Sequence, residues 1–276
     1  MPTPALVAVL ALLLCVGQDF SPASGLGPAS RFSAALSAGA AAPDRFPAAG
    51  GDLVITPFIH SSLQIEHGGT VIQIDPWSKA GLARLKPADL IVITDDPGHH
   101  LDPVAIKAVR KPGAPVVIAA NGKDVVPDGI VLANGEGRDV AGVRVEAIGA
   151  YDVTPGESFH PKGEANGYIL TVGGKRIYLA GVTECVPEVR AVRNIDIAFF
   201  PMNVPAERME PAEAVECLSV IRPRVVYPYH YDQEWVRRLD RDGTRQAPTT
   251  RGLQALKDGL APLGVDVRMA DWYPGQ

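Results

Sequence analysis

From Asp52 onward the chain is a succession of short apolar runs, each closed within a few residues by glycine, proline or a polar turn. Leu53 to Phe58, Ser61 to Glu66, Val71 to Ile74, Leu90 to Ile93 and Val116 to Ala119 read as strands. So do Val140 to Ile148, Gly167 to Val172, Arg176 to Ala180, Ile195 to Phe200, Arg224 to Tyr229 and Val265 to Met269. His67-Gly68-Gly69 and Gly173-Gly174 sit between such runs and predict hairpin turns. Helical spacing is rarer. Asp102-Pro103 predicts an N-cap with proline at the first helical position, leading through Val104, Ile106 and Val109 until Lys111-Pro112-Gly113 stops it. Pro211 to Ile221 and about Thr250 to Leu260 carry the other helical patterns. Strands dominate the first half, and strand–helix alternation follows Asn194. Two packed sheets with helices outside, an α/β architecture, is the simplest layered solution.

Composition excludes some function classes. Twenty-six Lys and Arg against thirty-one Asp and Glu give a net charge of -5, so nothing electrostatic favours a nucleic-acid partner. Three cysteines are too few and too scattered for a disulfide scaffold, and Cys185 and Cys217 read as buried apolar residues. The run Ala5 to Gly17 is too short to span a bilayer and has the length of a signal-peptide core, although Met1 to Pro4 lacks Lys and Arg. The expected organisation is a signal segment over 1–20, an Ala/Ser/Gly/Pro-rich linker over 21–51 and one domain over 52–276. Export to the periplasm or outside is the expected location, with the cytoplasm as the alternative if the apolar segment is not a signal. No stable membrane span is expected beyond it.

The chemistry concentrates in histidine. His99 and His100 follow the Leu90–Ile93 strand, His160 lies in a loop before another, and His230 ends the Arg224–Tyr229 strand. Side chains in loops at strand ends are aimed by a rigid scaffold. Imidazole is the commonest protein ligand for transition metals. His67 reads as a turn residue.

Phe58 to Ser62, Asp75-Pro76-Trp77, Thr94 to Pro103, Phe159-His160-Pro161-Lys162-Gly163, Ala180 to Thr183, Pro201 to Asn203 and Val225 to Tyr231 occur in the order found in one family. The chain resembles the metallo-β-lactamase superfamily from about Leu53 to Pro274, and within it a bacterial branch with FHPKG and PYHY elements. The resemblance implies an αββα sandwich of two mixed sheets with a dinuclear Zn or Fe/Mn site at one edge.

Four positions depart from that pattern. The family reads T-H-x-H-x-D-H-L-D where this chain has Thr94 to Asp102, so Asp95 and Pro97 stand at histidine positions and His99 at an aspartate position. Val182 stands where the family's bridging aspartate belongs. Pro97 and Val182 cannot ligate a cation, and two dications without a bridging carboxylate repel each other. What survives is His99, His100 and His230, with His160 as a further candidate ligand. Three histidines and an open position form a catalytic zinc geometry. The expectation is one zinc per chain or none.

Asp95 and Asp96 are the candidate general bases. His60 is expected to orient the site from behind, and Asp102 to support it while capping its helix. Glu184 is a distant alternative carboxylate. Two readings remain open: a hydrolase of small-molecule esters, amides, lactones or phosphodiesters using a metal-activated water, or a non-catalytic domain holding a small ligand in a decayed cleft. Oligomeric state is not legible.

Overall fold

A computed structural model describes residues 43–156, 158–202, 208–231 and 247–273. All of them belong to one unit, Ala38–Gln276. The expected signal segment and most of the linker lie outside the described residues, as do 203–207 and 232–246.

The described residues form fourteen strands in two seven-stranded sheets. The first sheet has β1 (Asp44–Ala48), β2 (Gly51–Ile59), β3 (Ser62–His67), β4 (Thr70–Ile74), β5 (Leu90–Val92), β6 (Val116–Ile118) and β7 (Ile130–Val131) side by side in chain order. The second has β8 (Gly137–Val140), β9 (Val143–Ala150), β10 (Ala165–Val172), β11 (Lys175–Leu179), β12 (Ile197–Pro201), β13 (Val225–Tyr229) and β14 (Asp266–Val267), again in chain order. Each sheet begins with three antiparallel pairings and ends with three parallel ones.

This shared plan aims the loops. In the first sheet β2, β4 and β5 run the same way, so the residues after each arrive at one edge. In the second, β9, β11 and β13 do the same. Crevices outside the carboxyl ends of strands are where α/β sheets place their sites.

The helices are α1 (Pro103–Val109), the single-turn α2 (Pro187–Arg190), α3 (Pro211–Ile221) and α4 (Ala247–Leu260). Asp102 caps α1: one carboxylate oxygen accepts the N–H groups of Val104 and Ala105, and the other accepts Ser78 N–H at 2.8 Å. The core is built from the strand interiors, including Leu53, Ile55, Leu63, Tyr168, Leu170 and Phe199, all fully buried. Phe199 stacks on Tyr227 at 4.9 Å.

Three expectations need correction. The stretch read as linker up to residue 51 already contains β1, which pairs with β2 at an edge where its proline and charged residues are tolerated. The run Val140 to Ile148 is not one strand but a hairpin, because Ala141 and Gly142 take positive φ and turn the chain back. Cys185 and Cys217 form a disulfide that ties the segment before α2 to α3. A pairing across 32 residues is a tertiary fact that spacing alone did not reveal.

Candidate metal centre

His60 follows β2, His99 and His100 lie on the loop after β5, and His230 follows β13. One ligand atom from each of these four imidazoles lies within 4.8 Å of the others. His60 and His230 rings are 3.9 Å apart between centroids, and His99 and His100 rings 4.6 Å. Three of the four residues are buried, and His99 is partly exposed.

Local backbone explains the convergence. The Pro97 carbonyl accepts the N–H groups of His100 and Leu101, at 2.7 and 2.9 Å, so the loop closes as a tight turn that brings both histidines inward. Pro97 offers no ligand, but it opens that turn. His60 N–H donates to the Trp272 carbonyl, and the His60 carbonyl accepts His230 N–H at 3.2 Å. The two sheets and the C-terminal segment are thereby locked at the site. His60, Asp75 and His230 all have positive φ, at 57°, 42° and 51°. Such backbone strain on non-glycine residues clusters where the surroundings over-determine a site.

Asp75, at the end of β4, stands behind His100. Its carboxylate lies 2.7 Å from His100 Nδ1, and both side chains are essentially inaccessible to solvent. It also accepts Thr94 N–H at 2.8 Å and the Thr94 hydroxyl at 2.6 Å. An acceptor at Nδ1 fixes the proton there and leaves the His100 Nε2 lone pair facing the cluster. That atom lies 3.1 Å from His230 Nε2. His60 is oriented in turn by Tyr273, whose hydroxyl lies 2.9 Å from its Nδ1.

The donor set fits a transition metal. Two nitrogens bound to one tetrahedral zinc lie about 3.3 Å apart, given Zn–N distances of roughly 2.0–2.1 Å. The His100–His230 spacing is close to that. Burial, then the fields of His100 and His160, hold His99 down to about 2. Burial and the same neighbours together with His99 hold His230 well below the ordinary histidine range. Imidazoles kept neutral are imidazoles able to ligate.

The other expected site residues fall elsewhere. His160 is not in the four-imidazole group. Its Nε2 lies 3.3 Å from Asp95 and its Nδ1 3.5 Å from Asp152. His60, expected behind the site, is inside it. Asp102 acts as a helix cap. Asp95 accepts Asn121 Nδ2–H at 2.8 Å and Asp96 N–H at 2.9 Å. Asp96 is exposed, and burial of its carboxyl followed by the charge of Asp95 raises its pKa. Glu184 pins the loop after β9 by accepting Val153 and Thr154 N–H, at 2.8 and 2.7 Å. Val182 is buried. His67, expected in the turn, is the last residue of β3 and pairs with Thr70 across the Gly68-Gly69 turn.

Sequence reasoning passed over Asp75, Tyr273 and Asp152. Asp75 carried a signal: an aspartate closing an apolar strand, as His230 closes another.

Comparison with known proteins identifies the family. The model of the Beta-lactamase superfamily domain matches residues 54–230. A UPF0173 metal-dependent hydrolase from Aeropyrum pernix is 31% identical over 193 residues, covering 62% of this chain and 79% of that one. The crystal structure of a protein described as a metal-dependent hydrolase from Parabacteroides distasonis has 36% identity and a TM-score of 0.73, covering 83% of this chain and 98% of that one. The metallo-β-lactamase fold protein YhfI from Bacillus subtilis, at 13% identity, shares the fold with a TM-score of 0.54 over 82% of this chain and 91% of that one. The chain therefore belongs to the β-lactamase superfamily, with the metallo-β-lactamase fold and with UPF0173 metal-dependent hydrolases among its homologues.

Proposed function

We propose that this protein is a hydrolase of small-molecule esters, amides, lactones or phosphodiesters that works with a single zinc ion. The observation that carries the reading is the convergence of His60, His99, His100 and His230, with Asp75 fixing the His100 tautomer. Three of these four imidazoles would hold the ion, leaving its fourth tetrahedral position for water or substrate. Bound there, zinc supplies Lewis acidity and lowers the pKa of water to about 7.

The chain's own residues do the rest. Asp75 and Tyr273 hold His100 and His60 in fixed orientations, so no rotamer search accompanies loading. Trp77 packs edge-on against His99 at 6.2 Å and walls one side of the cluster. Asp96, at the exposed end of the loop, is the proton acceptor: its raised pKa brings it closer to the range in which a carboxylate both takes and returns a proton.

Elemental analysis after zinc loading tests this. One equivalent per chain is expected, with loss in His100→Ala and His230→Ala and retention in His67→Ala. Two equivalents would sink the mononuclear reading. A folded protein that retains none would leave only the ligand-binding alternative.

Export belongs to the same proposal. Disulfides persist in oxidising compartments, and Cys185–Cys217 agrees with the apolar Ala5–Gly17 segment acting as a signal. Among the described residues no helix is long and apolar enough to cross a membrane. Protein recovered from its native host should begin after about residue 20 and show no thiol reactivity at Cys185 or Cys217; an intact Met1 in the cytoplasmic fraction would remove the claim.

A further inference from the structure

Beside the four-imidazole cluster lies a second polar group with the opposite composition. Asp95, on the loop after β5, and Asp152, on the loop after β9, have side chains only 3% exposed. One oxygen of each carboxylate is fixed by N–H donors. For Asp95 these are Asn121 Nδ2–H and Asp96 N–H; for Asp152 they are Phe159 N–H at 2.9 Å and His160 N–H at 3.1 Å. The remaining oxygen of each faces the same imidazole from opposite sides: Asp95 Oδ2 is 3.3 Å from His160 Nε2, and Asp152 Oδ1 is 3.5 Å from His160 Nδ1.

A neutral imidazole has one N–H and one lone pair. Placed here it would turn a lone pair toward a buried carboxylate oxygen, whichever tautomer it chose. Only the imidazolium carries an N–H on both nitrogens, and since neither contact has hydrogen-bond geometry the attraction is ionic. Two buried carboxylates without a cation would also be costly, because buried charges persist only when paired. Arg208 helps on one side alone: its guanidinium lies 3.7 Å from Asp152 and 3.7 Å from Glu184, and it stacks over the Phe159 ring at 5.2 Å.

We propose that His160 is a resident imidazolium, a cation supplied by the chain itself that holds Asp95 ionised and in place, and that it is not a metal ligand. It is a positioning residue. The inference deepens the mononuclear reading above, because it gives the cleft a second positive centre without a second ion, but its charge state can be measured whether or not zinc binds. Burial alone would pull His160 down; Asp152 and Asp95, with Asp96 farther off, outweigh it and raise it. The groups around it are Asp95 and Asp96 from one loop and Asp152 from another, with Arg208 beyond Asp152 and the His99 and His230 rings, which feel its charge, on the cluster side.

The test is long-range ¹H–¹⁵N correlation of the histidine rings in the full folded chain at pH 8, with the His160 signals assigned by their disappearance in His160→Gln. Free histidine, with a pKa of about 6.5, is neutral at that pH. The expected result is the doubly protonated pattern for His160, reverting to a neutral tautomer in Asp152→Asn. A neutral pattern in the wild-type chain would overturn the proposal. Zinc analysis supplies the second arm: His160→Gln should retain the wild-type metal content while His100→Gln loses it. Loss of zinc in both variants would make His160 a ligand and overturn the proposal. If the wild-type chain takes up no zinc, the four-imidazole reading fails, and the nitrogen spectrum still decides the charge of His160.

Discussion

Two clusters of ionisable side chains meet the edge where the strands end, and they are built on opposite terms. One gathers His60, His99, His100 and His230 with a single carboxylate, Asp75, behind them. The other surrounds one imidazole, His160, with Asp95 on one side and Asp152 on the other. The first is a set of imidazole donors suited to a cation from outside the chain. The second carries its own. Only three residues separate Asp95 from His99, so the contrast is local. Histidine content alone does not mark a metal site: His100 meets a carboxylate at one ring nitrogen and keeps the other for the cluster, while His160 meets one at both.

The largest expected effect would break the first cluster outright. His100→Ala or His230→Ala should take zinc content from one equivalent to none, read by elemental analysis. The second cluster should fail differently. His160→Ala leaves buried carboxylates without their partner, at a cost of about 3–5 kcal/mol in a denaturant melt run without metal. In the same metal-free melt His100→Ala should lose less, because Asp75 keeps the Thr94 N–H and hydroxyl as donors when the imidazole is gone. Equal losses would erase the distinction between the clusters.

A smaller effect probes the residue behind the ligands. Asp75→Asn keeps the shape but weakens the acceptor that fixes the His100 tautomer. Losses of about 10–100-fold in metal affinity are typical of such partners. Competition with a chromophoric chelator would measure it, and an unchanged affinity would mean that Thr94 and Ser61 suffice to orient His100.

The smallest effect belongs to Asp102, which supports the loop from outside either cluster. Burial opposes its charge, but the N–H groups of Ser78, Ala105 and Val104 win and lower its pKa. A folded value below the unfolded one means that the cap stabilises above the ordinary carboxylate pKa, about 3.9, and that this is lost as pH falls through the folded value. Asp102→Ala should cost about 1 kcal/mol at pH 7. The difference from wild type should shrink below about pH 4 in melts followed by circular dichroism.

Much of the fold was legible because short apolar runs bounded by Gly and Pro leave few alternatives. β1 escaped because Asp44 to Ala48 has a proline and no alternating apolar pattern, as an edge strand permits. The Ala141–Gly142 turn was hidden inside a run that looked continuous. At the site, His99, His100 and His230 were legible as histidines on strand-end loops. His60 was misjudged because its place in the ring depends on a contact with the Trp272 carbonyl, more than two hundred residues away in the chain. His160 was assigned to a metal by resemblance. Its partner Asp95 lies far off in sequence, and nothing local to either residue announces the pairing.

The left-handed backbone at His60, Asp75 and His230 has an evolutionary consequence. Glycine adopts that conformation without steric cost. At these three positions, selection for a robust chain favours glycine, while selection for a working cleft favours imidazole or carboxylate. Opposed pressures of this kind are how stability and activity come to trade against each other. A library screened for folding alone should drift toward glycine at these sites and lose the metal centre without losing the sandwich.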